Sequence, residues 1–162
     1  MEDGVGMENE RKPIKSFLDL EIYQNTYKAS LLVIKKIVPL LPKTEQFDLC
    51  DQLRRSSKAV PRLIAEGFAK KHQKKGFQKY LDDAIGESNE TIVSISHARD
   101  LYGHLLDIKL CDELIDVYNR SSKQMFVLSV KWQSFENRLN IHSPTPSPPT
   151  RLVSMPNDHL PE

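Results

Sequence analysis

The chain has 162 residues, 39% of them hydrophobic and 28% charged, with a formal net charge of +1. That suffices for one soluble domain burying about two-thirds of its unfolded surface, and it is too apolar for a chain disordered throughout. No run approaches the ~18 apolar residues of a membrane span. The acidic start lacks the apolar core of a signal peptide. Cys50 and Cys111 are too few and too far apart for a disulfide scaffold or a metal knuckle, so buried free thiols in a cytoplasmic protein are expected.

Residues 1–14 are polar and read as a flexible start. Ser16 followed by Asp19 has the spacing of a capping box. Leu20, Tyr23, Tyr27, Leu31, Ile34, Val38 and Leu41 then recur at three- and four-residue steps, predicting a first helix over about 16–40 with that stripe inward. Pro39 and Pro42 end it, since proline offers no amide donor and disfavours helix in the residue before it.

Thr44 is placed to cap a second helix running to about Glu66, with Glu45 at its positive end. Cys50, Leu53, Ser57, Val60 and Ile64 fall on one arc of this helix, and Arg54, Arg55, Lys58 and Arg62 on another. Pro61 inside it predicts curvature, and Gly67 a helix end. Lys70, Lys71, Lys74, Lys75 and Lys79 follow.

Phe77, Leu81, Ala84, Ser88, Thr91, Ile95, Ala98 and Tyr102 alternate steps of four and three and predict a third helix over about 75–102, ended by Gly103. Asp107 opens a fourth, whose seam is the strictest: Cys111, Leu114, Tyr118, Ser121, Met125, Leu128, Trp132, Phe135 and Leu139. Four helices on short links make an antiparallel up-down-up-down four-helix bundle over residues 15–141 the economical all-α architecture. Residues 142–162 are proline-rich and read as a disordered tail.

The net charge conceals a segregation. From Arg54 to Lys79 nine Lys and Arg stand against one Glu, a net +8; from Asp82 to Asp116 nine Asp and Glu stand against two Lys and Arg, a net −7. Clustered cations repel one another unless a polyanion or an acidic surface meets them. The five histidines show no metal-ligand spacing, and neither a P-loop nor a dinucleotide-binding glycine motif occurs. Glu66 is expected to pair with Arg62 one turn back, and Glu90 to pair with a cation across the bundle.

Three stretches carry a resemblance: Phe17–Tyr27 (FLDLEIYQNTY), Glu45–Ser57 (EQFDLCDQLRRSS) and Ile64–Gly67 (IAEG). With Phe77, Tyr80, Leu81, Ala84, Gly86 and Glu90 they are similar to the bacterial "four helix bundle protein" family over about residues 15–140. That family is also known from intervening sequences of large-subunit ribosomal RNA genes, and is related to the accessory variability determinant of diversity-generating retroelements. Leu63 stands where the family has Asn, Glu87 where it has Ser, and Lys58 and Arg62 where it has small or apolar residues. The second helix is therefore more basic here than in a typical member.

The resemblance implies a homo-oligomeric ring, a pentamer, without enzymatic activity or cofactor. In the retroelement relatives such a ring binds a reverse transcriptase and nucleic acid. Residues and resemblance together point to a non-enzymatic protein binding RNA or DNA through Arg54, Arg55, Lys58, Arg62, Lys70, Lys71, Lys74, Lys75 and Lys79. Phosphate contacts would dominate, because the only aromatics interleaved with these cations are Phe68, Phe77 and Tyr80. The competing expectation is a protein-interaction scaffold, whose basic and acidic faces hold a ring together or dock an acidic protein.

Overall fold

The computed structural model describes residues 13–141. Most of them lie in four α-helices: α1, Glu21–Leu32; α2, Leu49–Ala69; α3, Gly76–Tyr102; and α4, Ile108–Ile141. Among the described residues there is no strand, in line with the all-α expectation. The expectations for residues 1–12 and for the proline-rich stretch 142–162 lie outside the described residues.

The Ser16–Asp19 capping box forms as expected, but it closes a short 3-10 turn, Phe17–Asp19, ahead of α1. Beyond Leu32 the helix widens into a π-helical turn, Val33–Ile37, in which the Val38 amide bonds the Val33 carbonyl five residues back. Pro39 explains the widening: its ring would clash with the carbonyl four residues earlier.

The inward stripe of α1 differs from the expected one by a small rotation. Leu20, Val38 and Leu41 at its two ends are buried as expected, but between them Ile22, Thr26, Ala29, Ser30, Val33 and Ile37 are buried, whereas Tyr23, Leu31 and Ile34 are only half-buried and Tyr27 is exposed. Small polar residues can occupy the core here because the helix itself satisfies them. Thr26 Oγ1 donates to the Ile22 carbonyl at 2.7 Å, and Ser30 Oγ to the Tyr27 carbonyl at 2.7 Å.

Two boundaries of the second helix also shift. Thr44 caps nothing and lies within a 3-10 turn, Lys43–Glu45; α2 starts only at Leu49, after Asp48 adopts a non-helical conformation. The Glu45 carboxylate accepts a hydrogen bond from the Tyr102 hydroxyl, which ties this turn to the end of α3. At the other end α2 runs past Gly67 to Ala69, and Gly67 is buried inside the helix. A Cβ there would lie 2.6 Å from Tyr80 Cβ and 3.1 Å from Phe77 Cδ2. The glycine thus permits the close approach of α2 to α3 and does not end the helix. The left-handed residue that follows α2 is Lys75, with φ 56°.

The seam of α3 is interior as expected from Phe77 through Leu81, Ala84, Ser88, Thr91 and Ile95 to Ala98, all buried, while Tyr102 at its end is half-buried. In α4 the expectation holds from Cys111 to Met125 and then weakens, with Leu128 and Trp132 half-buried and Phe135 exposed. Trp132 meets Phe77 edge-on at 5.1 Å between ring centres, so it is level with the first turn of α3. Phe135, beyond it, is 49% exposed, and the expectation for the Leu139 side chain lies outside the described residues.

The helices contact one another in cyclic order, α1 with α2, α2 with α3, α3 with α4, and α4 with α1. Leu53, Val60, Ile64, Leu81, Ile95, Leu114, Tyr118 and Met125 fill the centre and are essentially inaccessible to solvent. Serine and threonine rungs of the seams are hydrogen-bonded, with Thr91 Oγ1 donating to Ser56 Oγ at 2.9 Å and Ser122 Oγ to Ser88 Oγ at 2.8 Å. Burying this face orients the cationic arc of α2 outward.

Candidate nucleic-acid interface

Arg55, Lys58 and Arg62 emerge from α2 along one side of a groove of about 740 Å³ between α2 and α3. Gln52 and the small Ala59 line the same side. Arg55 Nε lies 3.2 Å from Asp51 Oδ2, one turn back, an exposed pair that contributes little stability. Lys58 and Arg62 form no ion pair and no side-chain hydrogen bond among the described residues, so both remain available to an external anion. Arg54 is exposed on the same helix but does not line the groove.

The opposite wall carries Glu87 and Glu90 of α3. Burial pushes the Glu87 carboxyl above its ordinary range, and the Glu90 charge pushes it further; Arg62 and Arg55 pull the other way without prevailing. Neither glutamate forms an ion pair with a cation among the described residues, so the pairing expected of Glu90 is not made. Separation in sequence had assigned these acids to a distinct acidic segment. The folded chain brings them opposite the arginines instead.

The lysine cluster is apart from the groove, and none of its members lines it. Lys70 Nζ donates to Glu66 Oε1 at 3.1 Å and to the Tyr80 hydroxyl, and sits 4.6 Å from the centre of the Tyr80 ring. Tyr80 in turn donates to Glu66 Oε1 at 3.0 Å. These hydrogen bonds hold the Glu66 carboxyl below its ordinary range and raise the Lys70 ammonium above its own.

The partner of Glu66 is therefore Lys70 and not the expected Arg62. Helical side chains lean toward the N-terminus, so a glutamate is better met by a cation four residues later than by one four residues earlier. Lys71 Nζ lies 3.9 Å over the Phe68 ring. Lys75 uses its left-handed backbone to open α3, its amide donating to Glu136 Oε2 at 3.3 Å. Lys74 and Lys79 are exposed. As a group these five lysines surround the α2–α3 connection, where Lys70 and Lys71 are already engaged by aromatic neighbours.

On the other side of Lys58 and Arg62 is a second cavity, of about 320 Å³, between α1 and α2. Phe17, Tyr23, Tyr27, Leu31 and Ile34 line it from the first helix and the turn before it; Pro61 and Ala65 join the two cations on α2. Phe17 meets Tyr23 edge-on at 4.8 Å, and Tyr23 stacks on Tyr27 at 5.8 Å with 19° between the planes. Sequence reasoning missed this aromatic wall because it assigned Tyr23 and Tyr27 to the core stripe. Its trace was there: Thr26, Ala29 and Ser30 form an alternative stripe that bulky residues would leave free.

Among the described residues no group of three or more His, Cys, Asp or Glu is placed to hold a metal ion, and no helix is long and apolar enough to cross a membrane. Both cysteines are free and buried, and burial pushes their thiols up.

Comparison with curated proteins and with solved structures gives no match. One family model, described as 23S rRNA-intervening sequence protein, matches residues 18–126. That span takes in α1, α2, α3 and α4 as far as the last fully buried residues of its seam, and with them the groove between α2 and α3 and, apart from Phe17, the lining of the cavity between α1 and α2. The chain belongs to the 23S rRNA-intervening sequence protein family.

Proposed function

We propose that this chain is a non-enzymatic nucleic-acid-binding protein, an antiparallel up-down-up-down helical bundle that assembles with copies of itself into a ring. It acts as an accessory to a structured RNA or to a reverse transcriptase, and the cations of α2 form its contact with the phosphate backbone. The observation that carries this reading is the row Arg55–Lys58–Arg62 along the groove, in which Lys58 and Arg62 form no ion pair among the described residues. The cyclic order of helix contacts suits the bundle, and repetition of the row around a ring would multiply its charge.

Glu87 and Glu90 support a second reading, in which the basic row belongs to a protein-interaction scaffold. A groove with both signs of charge can receive the complementary surface of another subunit or an acidic protein. The double substitution Arg55→Glu with Lys58→Glu separates the two. If the row contacts nucleic acid, affinity for a labelled structured RNA falls by at least about tenfold while the oligomer persists in light scattering. If the oligomer dissociates instead, the row is subunit glue and the nucleic-acid reading fails.

A further inference from the structure

The ridge of Lys58 and Arg62 has unlike flanks. Toward α3 it faces the carboxylates of Glu87 and Glu90; toward α1 it faces an aromatic cavity that no carboxylate lines. A phosphate drawn to the ridge is thus repelled from one side, and whatever the phosphate carries is directed to the other. The aromatic wall is held in place: the capped turn Phe17–Asp19 sets Phe17 edge-on against Tyr23, which stacks on the half-exposed Tyr27. Ser30 Oγ already donates to the Tyr27 carbonyl, so the hydroxyl does not call for a particular hydrogen-bonding ligand. The cavity therefore offers flat apolar surface beside two cations one helical turn apart, the combination by which proteins hold unpaired bases.

We propose that the cavity between α1 and α2 seats an unpaired nucleobase against Tyr23 and Tyr27 while Lys58 and Arg62 hold its flanking phosphates. This rests on the nucleic-acid reading above and adds to it a class of ligand: single-stranded segments, loops or bulges in preference to continuous duplex. Paired bases present their edges to a protein and conceal the faces that stack. Because every base has such a face, the cavity is tolerant of sequence.

The test uses the full chain and three labelled probes of about 12 nucleotides: a mixed-sequence single-stranded RNA, the same sequence as single-stranded DNA, and the corresponding RNA duplex. A single stacked base is worth roughly 1–3 kcal/mol, so Tyr27→Ala should weaken single-strand binding about tenfold. Duplex affinity should hardly change, and Tyr27→Trp should retain single-strand binding. Tyr27 is 46% exposed, and an unchanged melting curve for Tyr27→Ala excludes a folding defect. Equal loss on single strand and duplex, or no loss on either, overturns the base site.

Lys58→Gln keeps the two proposals distinguishable. If it weakens all three probes and flattens the salt dependence while Tyr27→Ala changes nothing, phosphate binding stands and the base site falls. If none of the probes binds at low salt, both fall. Tyr27-dependent capture of a poly-glutamate peptide with the affinity of the single strand also overturns the base site, in favour of an acidic protein partner.

Discussion

Lys58 and Arg62 differ from the other cations of the basic segment in lining two cavities at once. Lys70 and Lys71 are held by Glu66, Tyr80 and Phe68, and Arg55 shares its charge with Asp51. Glu87 adds a titration to the groove. Its carboxyl is raised above the ordinary 4.5, chiefly by burial and next by Glu90. A raised carboxyl is protonated and neutral at low pH and gains a negative charge as pH climbs through its folded value. An anion on Arg55 and Arg62 is therefore opposed more strongly above that value than below it. RNA affinity should fall as pH rises from 4.5 through this window, and Glu87→Gln should remove most of the fall. A variant with the wild-type pH profile would show that Glu87 does not face the bound anion.

Element by element, the seams of α3 and the first half of α4 were legible because a strict alternation of three- and four-residue steps leaves only one face to bury. The stripe of α1 was misplaced by a small rotation, because counting only bulky apolar residues passes over Thr26 and Ser30, which the helix satisfies internally. That same displacement concealed the aromatic wall. By residue type alone Gly67 suits a helix end. Its actual constraint, the 2.6 Å approach of a would-be Cβ to Tyr80 Cβ, depends on a helix pairing that no local pattern announces. Gly67→Ala gains about 1 kcal/mol of helix propensity. It must also separate two backbones, an overpacking cost of about 1–3 kcal/mol. The expected net effect is a loss of about 1 kcal/mol in urea denaturation. A stabilised variant would mean that α2 and α3 can part freely at this point.

For the whole molecule, the basic and acidic segments were evident from composition, but their meeting across one groove was not. Glu87 and Glu90 are more than twenty residues from Lys58 and Arg62, and only the packing of α2 on α3 brings them opposite. The chain also exposes large apolar residues outside both cavities, with Phe47 90% exposed and Phe126 61%. Such residues suit contact with further copies of the chain, and they lie outside the basic row. Assembly and nucleic-acid binding are on this account separable: Phe47→Ser with Phe126→Ser should lower the mass seen in light scattering while one protomer's affinity for a short single strand changes less than about threefold. Loss of both together would tie the site to the assembly.

The most direct measurement is binding of the purified wild-type chain to labelled structured RNA, single-stranded DNA and duplex DNA across a salt series, with light scattering on the same samples. The account predicts binding that weakens by ~0.7–0.9 log units per phosphate contact for each tenfold rise in salt, strongest for ligands with unpaired segments, on a particle larger than one chain. Failure of all three ligands at ~50 mM salt, where surface electrostatics are least screened, with the assembly intact, would contradict it.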